Sequence, residues 1–194
     1  YGNLGAVFHS LDKYQKAKEY HEKALAIEIE IGERRGEGTK YENLGAVFHS
    51  LGKYQRAKEY YDKALAIVIE IGNRQKEETI NMNLGAIFNS LCEYQKAEEY
   101  HEKALAIAIE IGDKQGERTS NENLGVMFHS RGEYKKAKEY LEKALAIAVE
   151  IGHKPGEGTN NEHLGAVFHS LGEYQKAKEY HEKALAIAIE IGDR

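Results

Sequence analysis

Residues 44–72 read LGAVFHSLGKYQRAKEYYDKALAIVIEIG, and residues 164–192 repeat this stretch almost unchanged. The two copies differ at five positions, which in the first copy are Lys53, Arg56, Tyr61, Asp62 and Val68. Related copies recur every 40 residues through the whole chain of 194 residues. A regular period of this length predicts one supersecondary unit stacked on copies of itself, because a single copy is too small to bury its apolar face alone.

Each copy carries the pattern of two helices. In the second copy, the apolar residues with the spacing of one helix face are Tyr41, Leu44, Val47, Phe48 and Leu51. We name this segment helix A. Gly52 then favours a stop, and a second apolar run from Tyr54 to Ile71 predicts helix B, which Gly72 ends in a left-handed conformation. Gly45 has no side chain, so it predicts a close approach of helix A to helix B.

The repeat predicts one array over residues 1–194. Its expected units are residues 1–32, 33–72, 73–112, 113–152 and 153–192, and the first of them lacks the turn that precedes Tyr41 in the second. Residues 101–113 are identical to residues 181–193, so the last helix B has none of the polar substitutions that cap a solenoid. We therefore expect a segment of a longer array, whose isolated form self-associates through its uncapped ends.

Composition excludes several classes of protein. The formal charge of −5 gives no basic excess for binding nucleic acid or an anionic membrane. No apolar run is long enough for a transmembrane helix, and the chain does not open with a secretory signal. Cys92 is the only cysteine, so no intramolecular disulfide is expected. These features favour a cytoplasmic setting.

The repeated residues resemble the signature of the tetratricopeptide repeat (TPR). They are Leu44, Gly45, Phe48, Gly52, Tyr54, Ala57, Tyr60, Ala64 and Leu65. The resemblance implies an all-α fold, an α-solenoid of helix-turn-helix units that forms a right-handed superhelix. The usual unit has about 34 residues and often a proline after helix B, whereas Ile69 stands at that position here. The longer unit is similar to those of spindle-orientation adaptors, of kinesin light chain, and of arrays attached to signalling NTPases or caspase-like domains.

In TPR proteins the polar side of helix A lines a concave groove that binds peptides. The row that commonly touches ligand backbone corresponds to Asn3, Asn43, Asn83, Asn123 and His163. An amide both donates and accepts hydrogen bonds, so a ladder of amides suits a peptide backbone. In the alternative, the asparagines bond to one another or to neighbouring helices.

A second row of the implied groove contains Gly2, Glu42, Met82, Glu122 and Glu162. Chaperone-tail TPR domains place lysine here to hold a terminal carboxylate, which three glutamates would repel. The expected ligand is therefore a neutral or basic peptide or protein segment. Ile80 and Met82 favour either a hydrophobic pocket in the third unit or simple drift of one copy.

A third row contains His9, His49, Asn89, His129 and His169. We interpret it as ordinary polar groove surface, with ligand contact as an alternative. Metal binding is a poor interpretation, because successive histidines lie on different helices roughly 8–10 Å apart. We interpret the histidines of helix B, at positions 21, 101 and 181, as packing residues, because Tyr61 and Leu141 are their equivalents.

No phosphate-binding loop or nucleophile with a suitably spaced base occurs, so neither catalysis nor a cofactor is expected. Cys92 and His163 are the only weak candidates for an enzymatic role. The first hypothesis is a non-enzymatic scaffold or adaptor that binds peptides in the helix A groove. The second is a structural or sensor-spacer array of a larger signalling protein, whose effector domain lies outside this segment.

Overall fold

The computed structural model describes residues 1–192, which form ten α-helices and no strand. The helices are α1 (Gly2–Ser10), α2 (Tyr14–Ile31), α3 (Arg34–Ser50), α4 (Tyr54–Glu70), α5 (Arg74–Ser90), α6 (Tyr94–Ile111), α7 (Lys114–Ser130), α8 (Tyr134–Glu150), α9 (Lys154–Ser170) and α10 (Tyr174–Ile191). Odd-numbered helices correspond to helix A, and even-numbered helices to helix B. The predicted all-α fold of repeated helix pairs is confirmed.

The helices form two compact units, Tyr1–Glu93 and Tyr94–Arg194. In the first unit, α1 packs on α2, α2 on α3, α3 on α4, and α4 on α5. In the second unit, the same order of contacts joins α6 through α10. Within each unit, every helix therefore packs on its neighbours in sequence, as expected of stacked helical hairpins.

Helix A approaches helix B closely at a glycine. A Cβ atom added to Gly45 would lie 2.9 Å from ring atoms of Tyr61, and one added to Gly125 would lie 2.5 Å from Cγ of Leu141. Gly5 faces the ring of His21 in the same way, at 2.6 Å. The predicted close approach is confirmed. Leu141 is completely buried, and its side chain fills the space between the two helices. Only glycine therefore fits at the facing position of helix A.

The helix B histidines divide between core and surface. His21 and His101 are each only 2% exposed, as predicted. Burial lowers the pKa of His101 to about 4, and burial together with the nearby charges of Lys40 and His9 lowers that of His21 to about 4. His181 packs against Gly165 of α9 as His21 packs against Gly5, but it is exposed because its helix α10 packs only on α9 among the described helices.

The end of α4 has the left-handed glycine that the sequence predicts, and side chains cap the first turns of α5 and α7. Gly72 follows α4 with φ of +67°, and Asn73 then caps α5 by accepting a hydrogen bond from the amide of Lys76 at 3.2 Å. In the second unit, the carboxylate of Asp113 accepts a hydrogen bond from the amide of Gly116 at 2.9 Å and caps α7.

No helix within residues 1–192 is both long enough and apolar enough to cross a bilayer.

The turn from helix A to helix B has a left-handed residue in every copy. This residue is glycine at Gly52, Gly132 and Gly172, but Cys92 adopts φ of +58° and Asp12 φ of +55°. A side chain in this region of φ and ψ costs roughly 1–2 kcal/mol. Cys92 is exposed, so packing does not offset this cost.

We expect Cys92→Gly to raise the free energy of unfolding by about 1 kcal/mol, because glycine adopts this conformation without strain. Urea denaturation followed by circular dichroism measures the change. The matched control is Gly52→Ala, which should lower stability by about the same amount. No atom lies within 4 Å of a Cβ at Gly52, so that cost is conformational alone. Equal stability of Cys92→Gly and the parent would contradict the expectation.

Candidate peptide-binding surface

The predicted asparagine row lies on the helix A segments of both units. In the first unit, Asn3 on α1 is exposed, while Asn43 on α3 and Asn83 on α5 are partly exposed. In the second unit, Asn123 on α7 and His163 on α9 are also partly exposed. In the first unit α1 contacts α3 and Lys76 of α5 pairs with Glu42 of α3, and in the second unit α7 contacts α9. Each unit therefore brings its members of the row onto neighbouring helices.

The amides of this row have no hydrogen-bonding partner. Within residues 1–192, none of the four asparagine side chains bonds to another protein group. A second set of asparagines, two positions earlier in the helices, behaves differently. The amides of Asn81, Asn121 and Asn161 are buried and donate to the carbonyl oxygens of Glu77, Glu117 and Glu157 at 2.7, 2.8 and 2.7 Å. The side-chain donors and acceptors of the row at Asn43 are therefore unused among the described residues.

Small side chains accompany the asparagines. Three residues further along the same helices stand Ala6, Ala46, Ala86, Val126 and Ala166, all at least partly exposed. The surface next to the asparagines is therefore lined by small apolar side chains.

Most of the predicted glutamate row is already paired inside the protein. The carboxylate of Glu42 binds the ammonium group of Lys76 on α5. Glu122 accepts hydrogen bonds from the guanidinium group of Arg118, one turn earlier on α7, and from the amide of Asn160 on α9 at 3.4 Å. Glu162 is exposed and has no ion-pair partner within residues 1–192, while Met82 is half-buried. Glu42 and Glu122 therefore present little uncompensated charge to a ligand.

Arg118 joins two helices of the second unit and was missed by the sequence analysis. Its side chain is only 8% exposed, and its guanidinium carbon would lie 3.1 Å from a Cβ on Gly156 of α9. His163 completes this cluster, with its Nε2 atom 3.9 Å from Oε1 of Glu122. The pair of Arg118 and Glu122 has the i, i+4 spacing that sequence can reveal. Lys76 follows Glu42 by 34 residues, so only the fold brings them together.

The histidine row is used in contacts between helices. Nε2 of His9 lies 3.1 Å from Oγ of Ser50 on α3, and Nε2 of His129 lies 3.0 Å from Oγ of Ser170 on α9. The His9 ring also packs against Tyr14 with a centroid distance of 5.4 Å. His49 and Asn89 are half-buried and His169 is exposed. Burial lowers the pKa of His49. No group of side chains within residues 1–192 is arranged to hold a metal ion.

The hydrophobic pocket considered for the third unit is absent from the surface at Ile80. This side chain is completely buried, as are Ser120 and Asn160 at the equivalent positions of later copies. The position is therefore interior in three of the copies. Ile80 therefore serves packing, and only Met82 remains at the surface.

Helix α1 exposes apolar side chains of the kind through which self-association is expected. Leu4 and Val7 of this helix are 49% and 52% exposed, whereas their equivalents Leu44 and Val47 are completely buried. Self-association through this apolar surface stays a prediction.

Sequence comparison identifies the repeat. The tetratricopeptide repeat pattern matches residues 1–70 and 76–150, and a second tetratricopeptide repeat pattern matches residues 162–191. A search of curated proteins finds no significant match.

Comparison with solved structures finds similar helical repeats. BtubC (BKLC) from P. vanneervenii is 26% identical with a TM-score of 0.87, over 98% of this chain and 79% of that one. A putative kinesin light chain from P. anserina with nearly identical TPR-like repeats is 19% identical with a TM-score of 0.82, over 100% and 95%. A Rap protein complexed with competence and sporulation factor is 18% identical with a TM-score of 0.85, over 99% and 54%. With repeat patterns matched over most of its length, the chain belongs to the tetratricopeptide repeat family.

Proposed function

We propose that the helix A surface of each unit binds segments of partner proteins, so that the chain acts as a non-enzymatic scaffold. The observation that carries this proposal is the row of asparagine amides without partners at Asn3, Asn43, Asn83 and Asn123. A peptide backbone offers the complementary donors and acceptors. The Rap neighbour, crystallised with competence and sporulation factor, supports the idea that helical repeats of this kind carry a bound partner.

The paired glutamates refine the expected chemistry of the ligand. Lys76 compensates Glu42 in the first unit, and Arg118 compensates Glu122 in the second. The remaining groups beside the asparagines are mainly alanines. We therefore propose that the segment facing Asn43 and Asn83 is uncharged, while a basic residue suits only the surface near Glu162.

A structural or sensor-spacer array is the second candidate. It is favoured by the histidine row, because His9 and His129 bond to serines of the next helix A. In that case the surface asparagines would tolerate replacement without any functional loss. The two candidate functions therefore assign different roles to Asn43 and Asn83. In the first these residues contact a ligand, and in the second they are surface residues that can be replaced without functional loss.

The double variant Asn43→Ala, Asn83→Ala distinguishes the binding scaffold from the structural array. Neither amide has a partner in the protein, so we expect the melting temperature to stay within about one degree. Capture of peptides from a display library should fall roughly thirtyfold, because two lost amide contacts are worth about 1 kcal/mol each. Differential scanning fluorimetry and surface plasmon resonance with a selected peptide measure the two quantities.

Asn73→Ala is the matched control. It removes the cap of α5, so stability should fall by about 1 kcal/mol while peptide affinity of the folded protein is unchanged. If the double variant loses stability but not affinity, or if the parent captures no peptide, the binding proposal fails and the structural candidate stands.

A further inference from the structure

We infer that two copies of this chain associate head to tail, with α10 of one copy packed on α1 of the next. This contact reproduces between molecules the contact that α2 makes with α3 inside the first unit. It goes beyond the proposed function, because it uses surfaces other than those of Asn43 and Asn83.

One side of α1 is uncovered where its counterpart in α3 is covered. Leu4 and Val7 are 49% and 52% exposed, whereas their equivalents Leu44 and Val47 are completely buried. Helix α3 packs on both α2 and α4, while α1 packs on α2 in the way that α3 packs on α4. The exposed side of α1 therefore corresponds to the side of α3 that faces α2.

Helix α10 leaves the other half of this contact uncovered. His21 of α2 is only 2% exposed, whereas its equivalent on α10, His181, is exposed. Leu185 is 61% exposed, whereas its equivalent Leu25 is only partly exposed. Helix α2 packs on both α1 and α3, while α10 packs on α9 in the way that α2 packs on α1. The exposed side of α10 therefore corresponds to the side of α2 that faces α3.

The two uncovered sides have almost the same sequences as the pair of α2 and α3. Residues 3–10 of α1 are identical to residues 43–50 of α3. Helix α10 differs from α2 at a single position, which is Glu28 in α2 and Ala188 in α10. When α10 meets α1, side chains that already pack together inside the protein therefore pack together again. This identity of shape and charge points to a second copy as the occupant.

The single difference between α2 and α10 removes a charge that would lack a partner. Glu28 pairs with Lys40 of α3, with 3.8 Å between Oε1 and Nζ. Helix α1 contains no lysine, so a glutamate at this position of α10 would find no cation there. Ala188 stands at this position instead, and a methyl group enters an apolar contact without the cost of burying a charge.

The contact joins two different surfaces, so it does not close on itself. A copy that binds through its α10 still offers its own α1 to another copy. Heterologous contacts of this kind continue into longer assemblies unless the rotation between copies closes a ring. The average mass of the parent protein should therefore rise with concentration through dimers to larger species.

The test combines two variants, each of which blocks one side of the contact. Val7 and Leu185 are both more than half exposed in a single copy, so Val7→Glu and Leu185→Glu do not disturb its core. Each variant alone should be monomeric in sedimentation equilibrium at about 100 µM, because a buried charge weakens an apolar contact at least about tenfold. An equimolar mixture should form a dimer and nothing larger, because only one α1 and one α10 remain able to pair.

Ile109→Glu is the matched control. Ile109 is 58% exposed on α6, outside the contact, so this variant should associate like the parent. Circular dichroism of dilute samples should show the same melting temperature for the parent and the three variants. A change in mass then reports association and not folding.

The other arrangements give different results. Association of Val7→Glu alone would mean that α10 binds α10, and association of Leu185→Glu alone would mean that α1 binds α1; either result would overturn the inference. A mixture that stays monomeric would also overturn it, as would a parent that stays monomeric up to its solubility limit. Peptide capture by Asn43 and Asn83 is measured separately, so the proposed function stands if this inference fails.

Discussion

Replacing Gly125 by alanine should lower the free energy of unfolding by about 2 kcal/mol, because overpacking a filled core costs roughly 1–3 kcal/mol. The new Cβ would lie 2.5 Å from Cγ of Leu141 and 3.2 Å from the carbonyl oxygen of Ala137. Leu141 and Ala137 are completely buried, so neither yields easily. The clash exceeds the gain of roughly 0.5–1 kcal/mol that alanine brings to a helix. Urea denaturation measures the loss.

Gly158→Ala on α9 is the control for this prediction. Its Cβ would meet Cγ2 of Ile187 at 3.3 Å, so a mild contact offsets the helix gain and stability should change by less than about 0.5 kcal/mol. The clash also predicts that the stability effects of substitutions at Gly125 and Leu141 are not additive. Leu141→Ala should cost less in the presence of Gly125→Ala than alone, because alanine fills part of the cavity. A Gly125→Ala variant as stable as the parent would show that this contact is not tight.

Acidification should destabilise the fold through its two buried helix B histidines. Burial lowers the pKa of His101 and of His21 to about 4, whereas an unfolded histidine titrates near its usual value. As the pH falls below about 6.5, the unfolded chain takes up protons that the folded chain refuses, so stability declines. Between about pH 7 and about pH 4.5, each histidine should cost on the order of 2–3 kcal/mol.

His101→Leu should remove about half of this acid-dependent loss, because Leu141 occupies the equivalent position without exposure. Urea denaturation at a series of pH values gives the slope. His169→Gln is the control, because it removes an exposed histidine of α9 and leaves both buried histidines in place. A slope that His101→Leu does not reduce would mean that His101 takes up its proton in the folded protein.

The period of the sequence predicted the fold well because the deciding residues act locally. Gly52 and Gly72 adopt the left-handed conformations expected of helix ends. The comparison of copies also placed His21 and His101 in the core from their equivalents Tyr61 and Leu141. His181 makes the equivalent contact with Gly165 but is exposed, because only α9 among the described helices packs on α10.

The candidate site was predicted less completely. The rows fall on helix A as expected, but the charge of Glu42 is compensated by Lys76, which belongs to another copy. The sequence left two alternatives for Ile80, because position within a stacked array, and not hydrophobicity, decides whether a side chain reaches the surface. Sequence also left open whether the asparagines pair within the protein, because Asn81 and Asn83 look alike until their partners are known.

The central claim is that Asn43 and Asn83 hold free amides that a ligand engages. Hydrogen exchange of side-chain amides, measured by NMR, tests it most directly, with Asn81 and Asn161 as internal references because both donate to backbone carbonyls. In the free protein, the amides of Asn43 and Asn83 should exchange at the rate of exposed asparagine, while those of Asn81 and Asn161 are protected. A bound peptide should slow exchange at Asn43 and Asn83. Protection of these two amides before any peptide is added would contradict the account.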